Sequence, residues 1–369
     1  MTIDYYIRKI HDIVQTEEYD QYSYILKEYI DYLESLLKKE PENIKAICQL
    51  AIMYYEDCRE NEDIISLLED AIRKYENKMS TEELCEILND LAYIYDKECY
   101  EPNKAILLLE RAIILGTPFI NTYYALSTLY LDVDLNKAQQ MVLKILEYAP
   151  QNIEYKYQLG YCLLKKKDIN QALNLFKQLA GDLDDLNELI EKIHFCYAFA
   201  LLSLGKKREA SIIADDLYMK YRFGNTKVIG VFELMDLYYS LEEYQKVNKM
   251  FEDKYRDSNG NEYSLSFFGE EIQVILYTLH TLGFNEKCKV VFESKIQEIK
   301  DTIENYETDD IYSKEIIAYF ENEMLELKNG YYSIIDFDKR PEISDITKNL
   351  KVEPYCYLID CPRHINNFK

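Results

Sequence analysis

The chain has 369 residues, of which 48% are hydrophobic, so it can bury a continuous core. Its 10 Gly and 7 Pro residues are too few for the turns of a many-stranded β protein, and Leu, Ile, Glu, Lys and Tyr dominate, so the composition predicts an all-α fold. The formal net charge of −24 repels phosphate backbones and anionic headgroups, so we expect neither nucleic acid nor a membrane as a partner.

The cysteines and the first residues indicate a compartment. The nine cysteines are scattered and form no Cys-x-x-Cys pair, which is typical of a reduced environment. The start, MTIDYYIRKIHDIV, lacks the apolar run and the small-residue cleavage site of an export signal, and no 18-residue apolar stretch follows it. We therefore expect a cytoplasmic protein, and the excess of Ile, Lys, Asn, Glu and Tyr is compatible with an AT-rich bacterial source.

The first predicted element is a helix pair over residues 3 to 40. It ends in YLESLLKKEPEN, where Pro41 follows the second helix. We expect residues 1–43 to form an N-terminal capping pair and residues 44–305 to hold a repeated helical unit.

The repeat is carried by a pattern of small and large apolar residues. A small residue in one helix is followed about twelve positions later by an alanine and then by an aromatic or aliphatic residue. The units 119–152 and 153–186 start 34 residues apart (153 − 119). Their marks are Ala125, Ala138, Val142 and Pro150 in the first unit and Gly160, Ala172 and Phe176 in the second. Each pair would leave an apolar flank that only the next pair covers.

This spacing resembles the tetratricopeptide repeat family, whose 34-residue helix pairs carry small residues, an alanine, an aromatic residue and a proline at fixed positions. Further units begin near Ile44, Cys85, Glu191, Val228 and Gly269, and the last two match least well. Tryptophan, which is common in the family, is absent, and tyrosine takes many of the large aromatic positions. The resemblance implies a right-handed superhelical α-solenoid of helix pairs with an irregular C-terminal tail.

A lysine-rich turn, Lys165 to Lys167, separates the two helices of the 153–186 unit, and Lys206 to Arg208 lies at the corresponding turn one unit later. Cations at this place complement the exposed carbonyls at the end of the first helix. The alternative is a basic edge for a phosphate or an acidic peptide.

The C-terminal segment 306–369 departs from the repeat. A final helix is predicted over residues 311 to 328, stopped by Asn329-Gly330. The tail that follows has three of the seven prolines, no helical period, and six basic and six acidic residues. Its apolar content is too high for a free disordered segment, which leaves three alternatives. The tail folds against the last helices, lies in the groove of the repeat array, or is ordered only by a partner.

Catalytic and cofactor motifs are missing from the sequence. There is no Gly-x-Gly-x-x-Gly and no phosphate loop. The runs Asp132-x-Asp134-x-Asn136 and Asp257-x-Asn259-x-Asn261 lack the glycine and the closing glutamate of a calcium loop. No set of nucleophile, base and orienting residue stands out. We therefore expect no enzyme activity and no cofactor.

Three residues that could bind zinc lie close together near the C-terminus. Cys356, Cys361 and His364 have the spacing Cys-x4-Cys-x2-His, which is unusual, and no fourth ligand lies nearby in the sequence. From the sequence alone we expect no metal site.

The resemblance also implies a partner-binding surface, because family members bind through the concave face made by the first helices. That face reads as aromatic here, with Tyr123, Tyr130, Tyr157, Tyr161, Phe195, Phe199, Phe232, Tyr239 and Tyr277. The cationic set with which some members clamp a terminal carboxylate is missing. A helix or peptide with apolar anchors and basic flanks would suit tyrosines ringed by carboxylates. The alternative is that a register error of one residue places these rings in the packing between helices.

Three functional hypotheses follow. The first is a non-catalytic scaffold or adaptor that binds a protein or peptide in the aromatic groove. The second is an inhibitor, such as a bacterial immunity protein, that neutralises a basic toxin such as a nuclease through the acidic surface. The third is a cytoplasmic regulator that senses a short peptide, although no helix-turn-helix reader is visible at the N-terminus.

Overall fold

The computed structural model describes residues 2–17, 19–182, 189–224, 228–255, 269–306, 311–352 and 355–364. The described residues form 17 α-helices and no β-strand, which confirms the predicted all-α fold. The chain divides into two compact units: unit 1 comprises Met1–Lys166 with Val352–Lys369, and unit 2 comprises Lys167–Lys351. The three sequence segments expected above stay a prediction. None of the described helices combines the length and apolarity that a membrane crossing requires.

Unit 1 is built from consecutive helix hairpins. The neighbours α1 and α2, α3 and α4, α5 and α6, and α7 and α8 pack against each other, so the predicted pairing is confirmed. The helices are α1 (Ile3–Gln15), α2 (Tyr19–Leu37), α3 (Ile44–Glu56), α4 (Asn61–Tyr75), α5 (Thr81–Lys97), α6 (Pro102–Leu115), α7 (Ile120–Leu129), α8 (Leu135–Tyr148) and α9 (Ile153–Lys165).

Polar residues cap the N-termini of several of these helices, at the point where a loop ends and the periodic apolar pattern of the helix begins. Ser80 and Glu83 form a capping box at α5. Asp134 accepts the N–H bonds of Asn136 and Lys137 at the start of α8. The first run that imitates a calcium loop is therefore a helix cap, and the second, at residues 257 to 261, lies outside the described residues.

Small buried side chains let the helices of a pair approach closely. Ala92 and Ala105 of the α5–α6 pair and Ala125 and Ala138 of the α7–α8 pair are all fully buried. Ala125 and Ala138 are positions that the repeat pattern marked, and Ala92 and Ala105 lie 33 residues before them in the preceding pair. Their burial confirms that the pattern describes packing, since any larger side chain there would push two helices apart.

Unit 2 continues with helices of the same kind. They are α10 (Ile169–Asp182), α11 (Ile190–Ser203), α12 (Lys207–Arg222), α13 (Val231–Ser240), α14 (Tyr244–Tyr255), α15 (Gly269–Thr281), α16 (Asn285–Glu304) and α17 (Ile311–Phe337). Its first helices, α11, α13 and α15, begin within three residues of the unit starts predicted at Glu191, Val228 and Gly269. In unit 1 the largest deviation is at α5, which begins four residues before the predicted Cys85.

The predicted stop at Asn329-Gly330 is wrong, because α17 continues through it to Phe337. Glycine in a helix interior costs only about 1 kcal/mol relative to alanine, so packing against α15 and α16 can carry the helix through it. Gly330 also provides room, since a Cβ at this position would lie 2.8 Å from the Oε1 of Gln273 on α15. The glycine therefore marks a close contact between two helices and not the end of one.

Candidate functional site

The described parts of the C-terminal tail, residues 338–352 and 355–364, each lie on first helices of the pairs in their own unit. Residues 338–351 contact α11, α13 and α15 within unit 2, and residues 355–364 contact α3, α5 and α7 within unit 1. The tail thus folds against helices of the repeat array, and the alternative that it lies in a groove of the array stays a prediction.

In unit 1, side-chain amides of the first helices hold the tail by its backbone. Asn89 donates to the Tyr357 carbonyl oxygen at 2.7 Å, and Asn121 donates to the same oxygen at 3.2 Å. Gln49 donates to the Asp360 carbonyl oxygen at 3.2 Å. We call this surface the unit 1 face. Because these three hydrogen bonds are made to main-chain oxygens, they do not depend on the side chains of the bound segment.

Two of these amides are held in orientation by a second hydrogen bond. The hydroxyl of Thr122 donates to Asn89 Oδ1 at 3.1 Å, and the hydroxyl of Tyr29 donates to Gln49 Oε1 at 3.2 Å. Both amide side chains are fully buried. The bond to each amide oxygen fixes the orientation in which its N–H group faces the tail.

Tyr357 is the main apolar anchor of the tail on the unit 1 face. Its ring is fully buried and packs edge-on against Tyr93, with ring centroids 5.0 Å apart. Its hydroxyl donates to the carbonyl oxygen of Ala92 at 3.3 Å and to the carboxylate of Asp96 at 3.2 Å. Burial, followed by the charge of Asp96, raises the tyrosine pKa well above its usual value.

Two buried carboxylates lie beneath the same part of the tail. Asp90 accepts the backbone N–H of Ile359 at 2.9 Å, and its pKa is raised well above its usual value by burial and by the neighbouring Glu86. Burial and the charge of Asp360 raise the pKa of Glu86 to about 7. One oxygen of each carboxylate has no hydrogen-bond partner among the described residues. Burial and the neighbouring charges thus favour the protonated form of both carboxyl groups beneath the tail.

Charge pairing fixes the end of the tail. Arg363 pairs with Glu56 at 3.0 Å, and its guanidinium lies over the ring of Tyr22, 6.0 Å from the ring centroid. Glu56 is nearly buried, with a side-chain exposure of 6%, so this ion pair is partly shielded from solvent. A basic residue beside apolar anchors thus meets a carboxylate of the array.

In unit 2, one predicted site residue holds the tail. The Tyr239 hydroxyl donates to the Pro341 carbonyl oxygen at 2.8 Å, and the guanidinium of Arg340 lies 4.7 Å from the Tyr239 ring centroid. Arg340 also pairs with Glu242 at 3.3 Å. The ring of Tyr277 packs edge-on against Tyr239 at 5.9 Å.

Further polar contacts extend this surface, which we call the unit 2 face, along α11, α13 and α15. Lys192 donates to the Lys351 carbonyl oxygen at 3.2 Å. Glu233 accepts from Asn349 at 2.8 Å, and Glu270 accepts from the backbone and the hydroxyl of Ser344, both at 3.2 Å. The contacts combine main-chain capture with acidic side chains of the helices, as on the unit 1 face.

The nine aromatic residues predicted to bind a partner fall into two groups. Tyr130, Tyr157, Tyr161, Phe195 and Tyr239 are buried, and Tyr123, Phe199, Phe232 and Tyr277 are half-buried. Some of the rings are plainly packed between helices: Tyr130 donates to Glu110 of α6, and Tyr123 packs against Tyr148 of α8. Partner contact by these residues stays a prediction, and in this conformation Tyr239 has a hydrogen bond to the tail.

The polar residues that hold the tail escaped the sequence analysis. Asn89 and Asp90 interrupt the apolar run of α5, and burying such groups without partners costs free energy. That interruption is a usable signal, because it indicates that something polar covers the helix. Asn89 bonds to a residue 268 positions away in the sequence, and a local sequence pattern cannot reveal a contact of that separation.

The tail also brings together Cys356, Cys361 and His364, whose potential ligand atoms all lie within 4.8 Å of one another. Hydrogen bonds from Cys361, His364 and the Leu358 N–H hold the pKa of the Cys356 thiol below its usual range, against the effect of burial. The three residues that the sequence singled out as possible zinc ligands are therefore also close together in space.

Comparison with known proteins gives structural likeness only. No protein-family model matches the chain, and no curated protein matches it. Similar solved structures include a tetratricopeptide repeat protein from Parabacteroides merdae, at 15% identity and a TM-score of 0.45, covering 78% of this chain and 98% of that one. A Rap protein complexed with competence and sporulation factor has 13% identity, a TM-score of 0.40, and coverages of 89% and 98%. MamA (MSR-1 C2) has 21% identity, a TM-score of 0.39, and coverages of 48% and 98%.

Proposed function

We propose that the protein is a non-catalytic helical-repeat scaffold that binds a protein or peptide on its first-helix faces, and that its own tail occupies these faces until the partner displaces it. The observation that carries the proposal is the capture of tail backbone by Asn89, Asn121 and Gln49. Helices that bind the main chain of one extended segment can bind a second segment in the same way, provided that its side chains fit.

The tail itself indicates the chemistry of that partner. It presents buried apolar anchors at Tyr357 and Ile359, and basic residues at Arg340 and Arg363 that pair with carboxylates of the helices. This is the combination of apolar anchors and basic flanks that the acidic, tyrosine-rich sequence favours. A displacing ligand would repeat it, with an arginine or lysine beside an aromatic or aliphatic anchor.

The aromatic residues of the unit 2 face form the second part of the proposed site. Tyr239 and Tyr277 would contact the partner once the tail leaves, because Tyr239 now contacts Arg340 and Pro341. The toxin-neutralising and peptide-sensing hypotheses stay predictions, since each adds a named partner class to the same binding faces.

A labelled peptide with the sequence of residues 355–364 tests the proposal directly. Added to the full chain under reducing conditions, it competes with the attached tail for the unit 1 face. The own tail of the Tyr357→Ala chain is loosened and competes less. Fluorescence anisotropy should therefore show that the peptide binds this chain about tenfold more tightly, or more, than it binds the unchanged chain. The matched control is Tyr355→Ala, because the Tyr355 side chain lies in the same segment and is 56% exposed.

The decisive variant combines Tyr357→Ala with Asn89→Ala and Asn121→Ala. Removing both amides should return peptide binding to a level at or below that of the unchanged chain, with helicity by circular dichroism retained. Equal peptide binding by all of these chains would contradict the proposal, because the unit 1 face would then not be a peptide-binding surface.

A further inference from the structure

The tail carries a group of side chains that partner binding does not use. The Sγ of Cys361 lies 3.4 Å from the Nδ1 of His364, and Cys356 brings a second thiol within 4.8 Å of both. In a tetrahedral site with Zn–S of about 2.3 Å and Zn–N of about 2.05 Å, sulfur and nitrogen are about 3.6 Å apart. The observed distance matches such an edge to within a few tenths of an ångström.

The backbone turns between Cys361 and His364. The N–H of His364 donates to the Cys361 carbonyl oxygen at 3.0 Å, which closes the turn that brings the imidazole beside the thiol. Such outer hydrogen bonds orient metal ligands and tune their basicity.

We propose that Cys356, Cys361 and His364 bind a zinc ion, with a water molecule as the fourth ligand. Two thiolates and a neutral imidazole balance the two positive charges of the ion, which suits a partly buried position. Cys361 is buried, whereas Cys356 and His364 are half-buried, so one side stays open to solvent. Binding forms two Zn–S bonds and one Zn–N bond and releases the proton of each thiol that is still protonated.

Thiolate and imidazole ligands favour zinc over magnesium or calcium, which prefer oxygen. A second cluster, Cys48, Glu86 and Asp90, also has its potential ligand atoms within 4.8 Å of one another, but it is wholly buried and offers one thiol and two carboxylates. It is the poorer match for zinc. It therefore supplies a control for the metal measurement.

The test is metal content and zinc affinity of the full chain, purified and reduced. We expect one zinc ion per chain, and cobalt substitution should give the thiolate-to-metal absorption of a sulfur-ligated tetrahedral site. Cys361→Ser and His364→Gln should each weaken zinc binding by about 100-fold or more, a larger loss than outer hydrogen bonds produce. Cys58→Ser, at an exposed free cysteine, and Glu86→Gln should leave zinc binding unchanged.

Cys361 is buried, so a loss of zinc binding by Cys361→Ser counts only if circular dichroism shows native helicity. His364 is half-buried, so His364→Gln provides a second variant that disturbs the packing less. No zinc uptake by the folded, reduced chain would overturn the proposal. The proposal would also be overturned if Glu86→Gln lost zinc while His364→Gln still bound it. A disulfide between Cys356 and Cys361 in protein isolated from its host would overturn it as well. These readouts do not involve partner binding, so the site can fail while the scaffold proposal stands.

Discussion

Replacement of Tyr357 by alanine is expected to release the end of the tail from the unit 1 face. The ring is fully buried against Tyr93, and its hydroxyl bonds to Ala92 and Asp96. Deleting a buried aromatic ring costs about 3–5 kcal/mol, which includes the cavity left behind. We therefore expect a loss of about 4 kcal/mol in docking free energy, or up to about 1000-fold in the opening equilibrium.

Hydrogen exchange followed by mass spectrometry measures that equilibrium segment by segment. The backbone N–H of Ile359, which now donates to buried Asp90, should exchange up to about 1000-fold faster in Tyr357→Ala. Tyr357→Phe removes only the hydroxyl, so it should cost about 1 kcal/mol and give a change of roughly fivefold to tenfold. The control Tyr355→Ala should leave this exchange unchanged, because that side chain is exposed.

The Tyr357→Phe and Tyr357→Ala substitutions together separate the contribution of the hydroxyl from that of the ring. If exchange in residues 355–361 is the same in Tyr357→Ala as in the unchanged chain, the ring does not anchor the tail. If Tyr357→Phe and Tyr357→Ala have equal effects, the hydroxyl and not the buried ring provides the stabilisation, and the packing argument fails.

Two further predictions concern unit 2. Gly181→Ala, where nothing lies within 4 Å of a new Cβ, should stabilise by about 0.5 kcal/mol in urea melts. Gly330→Ala should stabilise the chain by less than Gly181→Ala does, because Gln273 must move to admit the new Cβ. In a chain that also carries Gln273→Ala, Gly330→Ala should stabilise by the full amount. Equal stabilisation with and without Gln273→Ala would refute the close contact. Burial and Glu271 raise the pKa of Asp236 to about 7, so the stability conferred by its protonated form is present below about pH 4 and lost as pH rises through 7. Asp236→Asn should therefore stabilise by about 1 kcal/mol more at pH 8 than at pH 5, which is half of the effect that a fully buried group would show over this pH range, and a pH-independent difference would contradict this.

Helix pairing was predictable from the sequence because it depends on local periodicity. Ala105 and Ala138 are small and fully buried where the two helices of a pair meet, so their recurrence at about one unit length identifies the pairs. The direction of the aromatic side chains was not predictable to the same degree. A shift of one residue turns a helical side chain by about 100°, which is enough to move Tyr130 from a concave face to a contact with α6.

Long-range features were out of reach for a different reason. The stop predicted at Gly330 rests on a local rule, whereas the contact with Gln273 that uses this glycine joins residues distant in sequence. The docking of Tyr357 on Asn89 likewise joins two segments whose sequences share no period. Only the burial cost of Asn89 and Asp90 within an apolar helix gave a local indication that a polar segment covers them.

A crystal structure of the unliganded full chain would show whether the tail occupies the unit 1 face. We expect continuous density for residues 355–364 on α3, α5 and α7, with the Asn89 and Asn121 amides on the Tyr357 carbonyl oxygen. Density that shows these amides facing solvent, with the Tyr357 ring away from Tyr93, would contradict it.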